Sequence, residues 1–381
     1  MKVCMFHLMP YRDLPADYEQ RYNASHIEPI WFDVADADKV GQYYNATLDE
    51  MLHAAKAGMH GLCTNQHHQN VYGFMANPSI MGGVLAKATN GQNVAIIQLG
   101  STLPSTTPPT RIAEEYAMLD CISGGRLDAG IARAFLPHEF AAFGVPMEES
   151  RERFEEGIAA LKLLWQGDEV SFHGKHHSFE RVTSLPKPVQ APQPPIWIAA
   201  IATPASFQWA GEQGYGMMAV PYLADFVELA EHLQLYRDHF RRSGAPGRPR
   251  VMLVMHCVID PSRTAARDRA WAGMQHYLGV FRDIASWWEG RVEAQYARYD
   301  DLPRLLDGMT WNRVDRENRA IVGDPAEAAD RTQRLRETFG ECELSLQVHF
   351  GGISAEQAIG SLRLFAEEVN PRVGLAAAAT N

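Results

Sequence analysis

The chain has 381 residues, 46% of them hydrophobic and 21% charged, with a formal net charge of −11. This is ordinary globular composition with material for a large core, and the negative balance argues against nucleic acid or an anionic membrane as the main partner. Five cysteines without a CxxC pair, no apolar run long enough to span a bilayer, and an N-terminal MKVCMFHLMP without signal-peptide character point to reduced thiols in a cytoplasm.

Taken in chain order, the sequence alternates short apolar strands with amphipathic helices. Residues 2–9 read as the first strand, and 10–40 as a long polar and aromatic loop containing Tyr11, Tyr22 and Trp31. A connection of that length suits a lid over the strand ends, set against an ordered excursion packed on the outside of the barrel. A helix over 48–58 leads to a second strand at 60–65, whose end carries Gln66, His67 and His68. Pro78 opens a helix over 78–90. A third, fully apolar strand spans 93–100, and a stiff loop with Pro104, Pro108 and Pro109 feeds a helix over 110–119.

Ser123-Gly124-Gly125 stops that helix, because glycine takes the left-handed cap conformation without steric cost. Residues 126–132 form a buried strand, Arg133 stands at its C-terminal end, and a loop with Pro137, His138 and Glu139 follows. Phe154, Ile158, Leu161, Leu164 and Trp165 share one side of a helix over 151–165. Residues 168–195, rich in proline, leave and rejoin the repeat. Strands over 196–200, 216–220, 251–259 and 342–350 complete the series. Helices run from Thr203-Pro204 to about 214, over 224–243 and over 355–369. The mainly helical stretch 262–340 exceeds one crossover and reads as an insertion.

Eight strand–helix repeats ask for a parallel sheet covered by helices, closed as one (β/α)8 TIM barrel over residues 1–381. An open doubly wound sheet is the runner-up, but no GxGxxG follows the first strand. In a barrel the strand ends converge on one mouth. Arg133, Arg151, Thr203 and Ser206 there make an anion pocket suited to a phosphate, set against simple helix capping and surface exposure. His67 is a candidate proton donor or base beside it, or a structural histidine. A metal site from His67, His68 and His7 is disfavoured, since adjacent strand residues face opposite ways.

The chain also resembles the bacterial luciferase-like flavin-dependent monooxygenases. The shared residues run in family order: Asn65-Gln66-His67-His68, Asn77-Pro78, Leu103-Pro104, Ser123-Gly124-Gly125-Arg126, Gly130-Ile131-Ala132-Arg133, Arg151 and Phe350-Gly351-Gly352. The resemblance implies reduced FMN, supplied by a separate NAD(P)H-dependent reductase, reacting with O2 to a C4a-peroxide that oxygenates a small, apolar organic substrate. It implies a homodimer and no metal. Arg133, Arg151, Thr203 and Ser206 fall on the phosphate positions and His67 on the catalytic histidine. Gln66 and Leu99-Gly100-Ser101 fall beside the flavin ring, the latter where the family often carries a cis peptide. Phe6, His68 and Trp31 fall on the substrate side. The chain differs from the family at Gln66, usually glutamate, at Ala134, usually glycine, and at Ala132, cysteine in true luciferases. An F420-dependent oxidoreductase, a non-catalytic flavin-binding subunit and a metal-dependent hydrolase stand as alternatives.

Overall fold

The computed structural model describes residues 1–15, 17–21, 35–71, 73–134, 136–201, 203–285 and 302–374. Eight parallel strands close into a barrel: β1 Val3–Phe6, β2 Gly61–Thr64, β3 Ala95–Gln98, β4 Leu127–Ala132, β5 Ile196–Ala200, β6 Gly216–Ala219, β7 Val251–Ile259 and β8 Glu343–Gln347. Each pairs with the next, and β8 returns to β1 with Val3 opposite Leu344 and Phe6 opposite Gln347. The strands are buried on both faces, which is why they read as apolar runs rather than as alternating patterns.

The surrounding helices are α1 Ala37–Lys56, α2 Pro78–Ala88, α3 Pro109–Ser123, α4 Pro137–Ala142, α5 Ser150–Gln166, α6 Pro204–Glu212, α7 Phe226–Ser243, α8 Arg263–Ala285, α9 Pro325–Phe339 and α10 Ala355–Leu364. Five of them begin on proline, whose missing N–H costs nothing in the first turn. Asn77 caps α2 by accepting from Ser79 N and Ile80 N, and Asp225 does the same for α7. Gly124, with φ of 67°, closes α3 in the left-handed conformation expected of it.

Several boundaries differ from the sequence reading, each for a physical reason. Helix α1 begins at Ala37 rather than at 48, capped by Asp36, which accepts from Asp38 N and Lys39 N. Its first turns are largely exposed, so they carry no apolar stripe to betray them. Of the loop expected over 10–40, residues 22–34, Trp31 included, lie outside the described residues; Tyr18–Arg21 forms one helical turn. The expected loop after Arg133 folds into α4, with Pro137 at its first position. Residues 168–195 contain an antiparallel hairpin, Val170–His173 with Ser178–Val182. Within 262–340, α8 and two short helices, Leu302–Asp307 and Trp311–Arg316, precede a strand, Ile321–Gly323, that pairs with the end of β7. Helix α9 then serves as the ordinary crossover to β8, so the added material stops short of it. Among the described residues no helix is long and apolar enough to cross a membrane.

The closed end of the barrel is plugged by charge. Arg250 donates to Glu343 at 2.8 Å and to Asp128 at 3.1 Å, and stacks 4.5 Å over the Trp197 ring. Trp197 Nε1 donates to the same Asp128 oxygen at 3.0 Å. The plug satisfies every partner and leaves the other end of the barrel to hold a cavity.

Candidate active site

That cavity opens at the C-terminal ends of the strands and contains about 1290 Å³ of empty space including its mouth. Its two ends differ in chemistry.

The polar end is built by the segments after β4 and β5. Arg133 follows β4 directly, and Arg151 projects from the first turn of α5. Arg151 Nε donates to Glu155 at 3.0 Å, which steadies the guanidinium while leaving it one third exposed. Thr203 and Ser206 line the cavity at the start of α6. Thr203 occupies the capping position, yet its side chain makes no capping bond. Its hydroxyl is therefore not consumed by the helix, which removes the structural explanation for it at this place. Two guanidiniums, two hydroxyls and a helix start form a donor set matched to a phosphate dianion.

Between the ends, Leu99 and Gly100 form part of the wall, and their peptide bond is cis. Ser101, expected beside them, does not line the cavity. The Tyr116 hydroxyl lies 2.8 Å from its Oγ, behind the wall. Gln66 does line it, with its amide fixed at both ends. Its Oε1 accepts from Thr102 N at 3.0 Å, and its Nε2 lies 2.7 Å from His68 Nε2. Burial holds the His68 imidazole below its ordinary range, so its Nε2 serves as acceptor for the amide. His68 packs edge-on against Phe143, its ring centroid 4.7 Å away, and does not face the cavity as expected.

His67 does face it. Its orientation comes from Glu139, a fully buried carboxylate on α4. Glu139 Oε1 accepts from His68 N at 2.9 Å and from His67 Nδ1 at 3.3 Å. A carboxylate only accepts, so Nδ1 carries the proton and Nε2 is the ring's acceptor. The sequence reading named Glu139 only as a loop residue. Nothing local marks a glutamate 72 positions from its histidine as the group that aims it.

Ala134 has a φ of +65°, a conformation that disfavours a Cβ. Ala134→Gly is expected to raise stability by up to about 1 kcal/mol, the relief of that clash less the glycine's added freedom in the unfolded chain. A urea midpoint below that of the unaltered chain would contradict this.

The other end is apolar. Phe6 of β1, Met218 of β6, Val254 of β7 and Phe281 of α8 line it, with Tyr222 and Leu223 of the loop after β6. Arg319 holds that loop, donating from Nη1 to Ala224 O at 2.8 Å and Tyr222 O at 3.2 Å while itself buried. Its target lies 95 residues away, so no sequence pattern reveals it.

His7 stands apart from His67 and His68. It joins Glu50 and His349 instead, the group of titratable side chains close enough to suggest an ion among the described residues. Glu50 Oε2 lies 3.2 Å from His7 Nε2 and 2.7 Å from His349 Nδ1, and Arg12 donates to Glu50 Oε1 at 2.7 Å. Met9 N donates to His7 Nδ1, so the His7 proton sits on Nε2, where a metal would need a lone pair. The Arg12 guanidinium already balances the carboxylate. The cluster is a buried ion network bracing β1, α1 and the segment after β8.

Fold and cavity together define a (β/α)8 barrel with a ligand site at its strand ends, charged at one side and apolar at the other. The chain belongs to the luciferase-like monooxygenase family, whose model matches residues 30–342. It is 29% identical over 344 residues to the oxygenase component of flavin-dependent trigonelline monooxygenase from Acinetobacter baylyi, covering 89% of this chain and 92% of that protein. It is 37% identical over 270 residues to the FMNH2-dependent dimethylsulfone monooxygenase of Pseudomonas putida, covering 66% of this chain and 69% of that protein. Among solved structures, monooxygenase RslO1 from Streptomyces bottropensis matches with a TM-score of 0.76 and 31% identity, covering 97% of this chain and 99% of that one.

Proposed function

We propose that the protein is the oxygenase of a two-component system: it binds reduced FMN delivered by a separate reductase and oxygenates a small apolar substrate with O2. The observation that carries this reading is one cavity holding Arg133, Arg151, Thr203 and Ser206 at one end, His67 at its wall and an apolar chamber at the other. Named relatives that are flavin-dependent monooxygenases support it. When bound, reduced FMN supplies the electrons that activate O2. The chain supplies the rest. Arg133 and Arg151 neutralise the phosphate, and the Thr203 and Ser206 hydroxyls orient it. Phe6, Val254 and Phe281 keep water from the reacting atoms. His67, held at Nδ1 by Glu139, moves a proton at Nε2.

Titration of the purified chain with FMN and with F420 tests the cofactor. FMN is expected to bind, and combined Thr203→Val and Ser206→Ala substitution to weaken it about tenfold or more, since hydrogen bonds to charged groups are the strong ones. Preference for F420 would overturn the reading. With reductase-supplied FMNH2, His67→Ala is expected to lower oxygen uptake about 100-fold, the scale of general acid–base catalysis. Unchanged uptake would remove His67 from its role.

A further inference from the structure

Two carboxylates line the cavity, and only one has a part in the scheme above. Glu139 holds His67 and the His68 amide. The other, Glu155, stands at the polar end, one turn along α5 from Arg151. Its Oε1 accepts from Arg151 Nε at 3.0 Å, and the two side chains are 39% and 33% exposed. An acceptor without a hydrogen to give is out of place in a pocket of phosphate donors. Its distance from any bound phosphate is bounded by the guanidinium they share. An anion accepting from Arg151 and the carboxylate already doing so each lie about 3 Å from a guanidinium nitrogen, so they stand within about 8 Å of one another. That is no more than a Debye length at ordinary ionic strength, and the repulsion is felt.

We propose that Glu155 is a counter-charge that holds down the affinity of the polar end for a phosphate dianion and so keeps the flavin exchangeable. This rests on the reading of that end as the flavin phosphate site. In the free protein the carboxylate occupies Arg151. On binding, the phosphate competes with it for the same guanidinium and pays a like-charge repulsion. One charge against two at about 7 Å in a water-like dielectric weakens binding about five- to tenfold. The exchange itself is cheap, because a part-exposed helical ion pair adds little to stability. An oxygenase that takes its flavin from a separate reductase and returns it needs a grip that orients the phosphate and then releases it.

The test is titration of the purified full chain with FMN, riboflavin and inorganic phosphate, in the parent and in Glu155→Gln and Glu155→Leu. Glutamine keeps an acceptor for Arg151 Nε and removes only the charge; leucine removes both. Glu155→Gln is expected to bind FMN and inorganic phosphate about five- to tenfold tighter and riboflavin, which has no phosphate, as the parent does. The gain is expected to shrink toward one in 1 M NaCl, where the Debye length is about 3 Å. Slower FMN release in stopped flow is expected to account for most of it. Unchanged or weaker FMN binding in Glu155→Gln would overturn the proposal, and in that case weaker binding in Glu155→Leu would show that the carboxylate only positions Arg151. Equal tightening of riboflavin and FMN would overturn it too, since a reshaped pocket does not distinguish them. The flavin reading is judged apart from this. A parent that binds no FMN removes that reading and leaves the phosphate titration to decide the role of Glu155, whereas FMN binding that ignores the charge of residue 155 keeps the flavin and removes the counter-charge.

Discussion

Gly130→Ala is expected to destabilise the barrel by at least about 3 kcal/mol, the upper range for forcing atoms into a packed core, and to cost most of the soluble yield. An added Cβ at this β4 position would overlap the Gln98 carbonyl oxygen. Neither side is able to yield. Gln98 ends β3, and Tyr116 lies 2.7 Å from the Gly130 carbonyl, pinning β4 from the other face. The approach is reciprocal, since a Cβ on Gly100 would lie 2.9 Å from the Gly130 carbonyl carbon. The two backbones press together where the cavity wall passes from Leu99 to Arg133, so parting them also moves the site. Gly83→Ala provides the contrast. That residue lies inside α2 with nothing within 4 Å of an added Cβ, and alanine there is expected to add about 0.5–1 kcal/mol through helix propensity. Urea unfolding of both variants measures the pair, and a Gly130→Ala midpoint equal to the parent's would refute the close-packing account.

Glu50→Ala is expected to cost about 3–5 kcal/mol, because it takes the carboxylate from the part-buried Arg12 guanidinium and unpairs two buried imidazoles. The carboxylate receives Arg12, His7 and His349 at once, and its side chain is 2% exposed. The same network predicts a direction with pH. Burial, working against Glu50, pushes His7 down to about 4, below its unfolded value near 6.5. The unfolded chain therefore binds the proton first, and the stability this group confers is present above about pH 6.5 and lost as pH falls toward 4. Burial alone would raise Glu50, but the hydrogen bonds from His349 and His7 outweigh it and hold the carboxyl below its ordinary range, which acts in the same sense. Neutral, buried His256 does so as well. Urea midpoints are expected to fall steadily from pH 7 to pH 4. A flat profile would show that the network does not carry the load assigned to it.

The sequence alone was informative where structure is local. The strand series was legible because strands buried on both faces must be short apolar runs, and the helix starts because proline and Asn or Asp side chains satisfy first-turn donors within three residues. That Arg133, Arg151, Thr203, Ser206 and His67 share one cavity was legible because they stand at strand ends and helix starts, which a barrel gathers at one rim. The direction a side chain takes from its element was not legible. His68 turns to Gln66 and Phe143, and Ser101 turns to Tyr116, because strand alternation assigns a face only once the neighbouring segments are in place.

By itself, then, the amino-acid order determined the repeat, its closure into a barrel and the polar residues that share the cavity at its rim. Tertiary structure decided which groups aim or brace them: Glu139 behind His67, Glu50 among Arg12, His7 and His349, and Arg319 under the loop of Tyr222. The physical reason is range. Propensity, capping and periodicity act within a few residues of chain, whereas a buried hydrogen bond takes its partner from whatever the closed sheet brings within 3 Å, at any separation along the sequence.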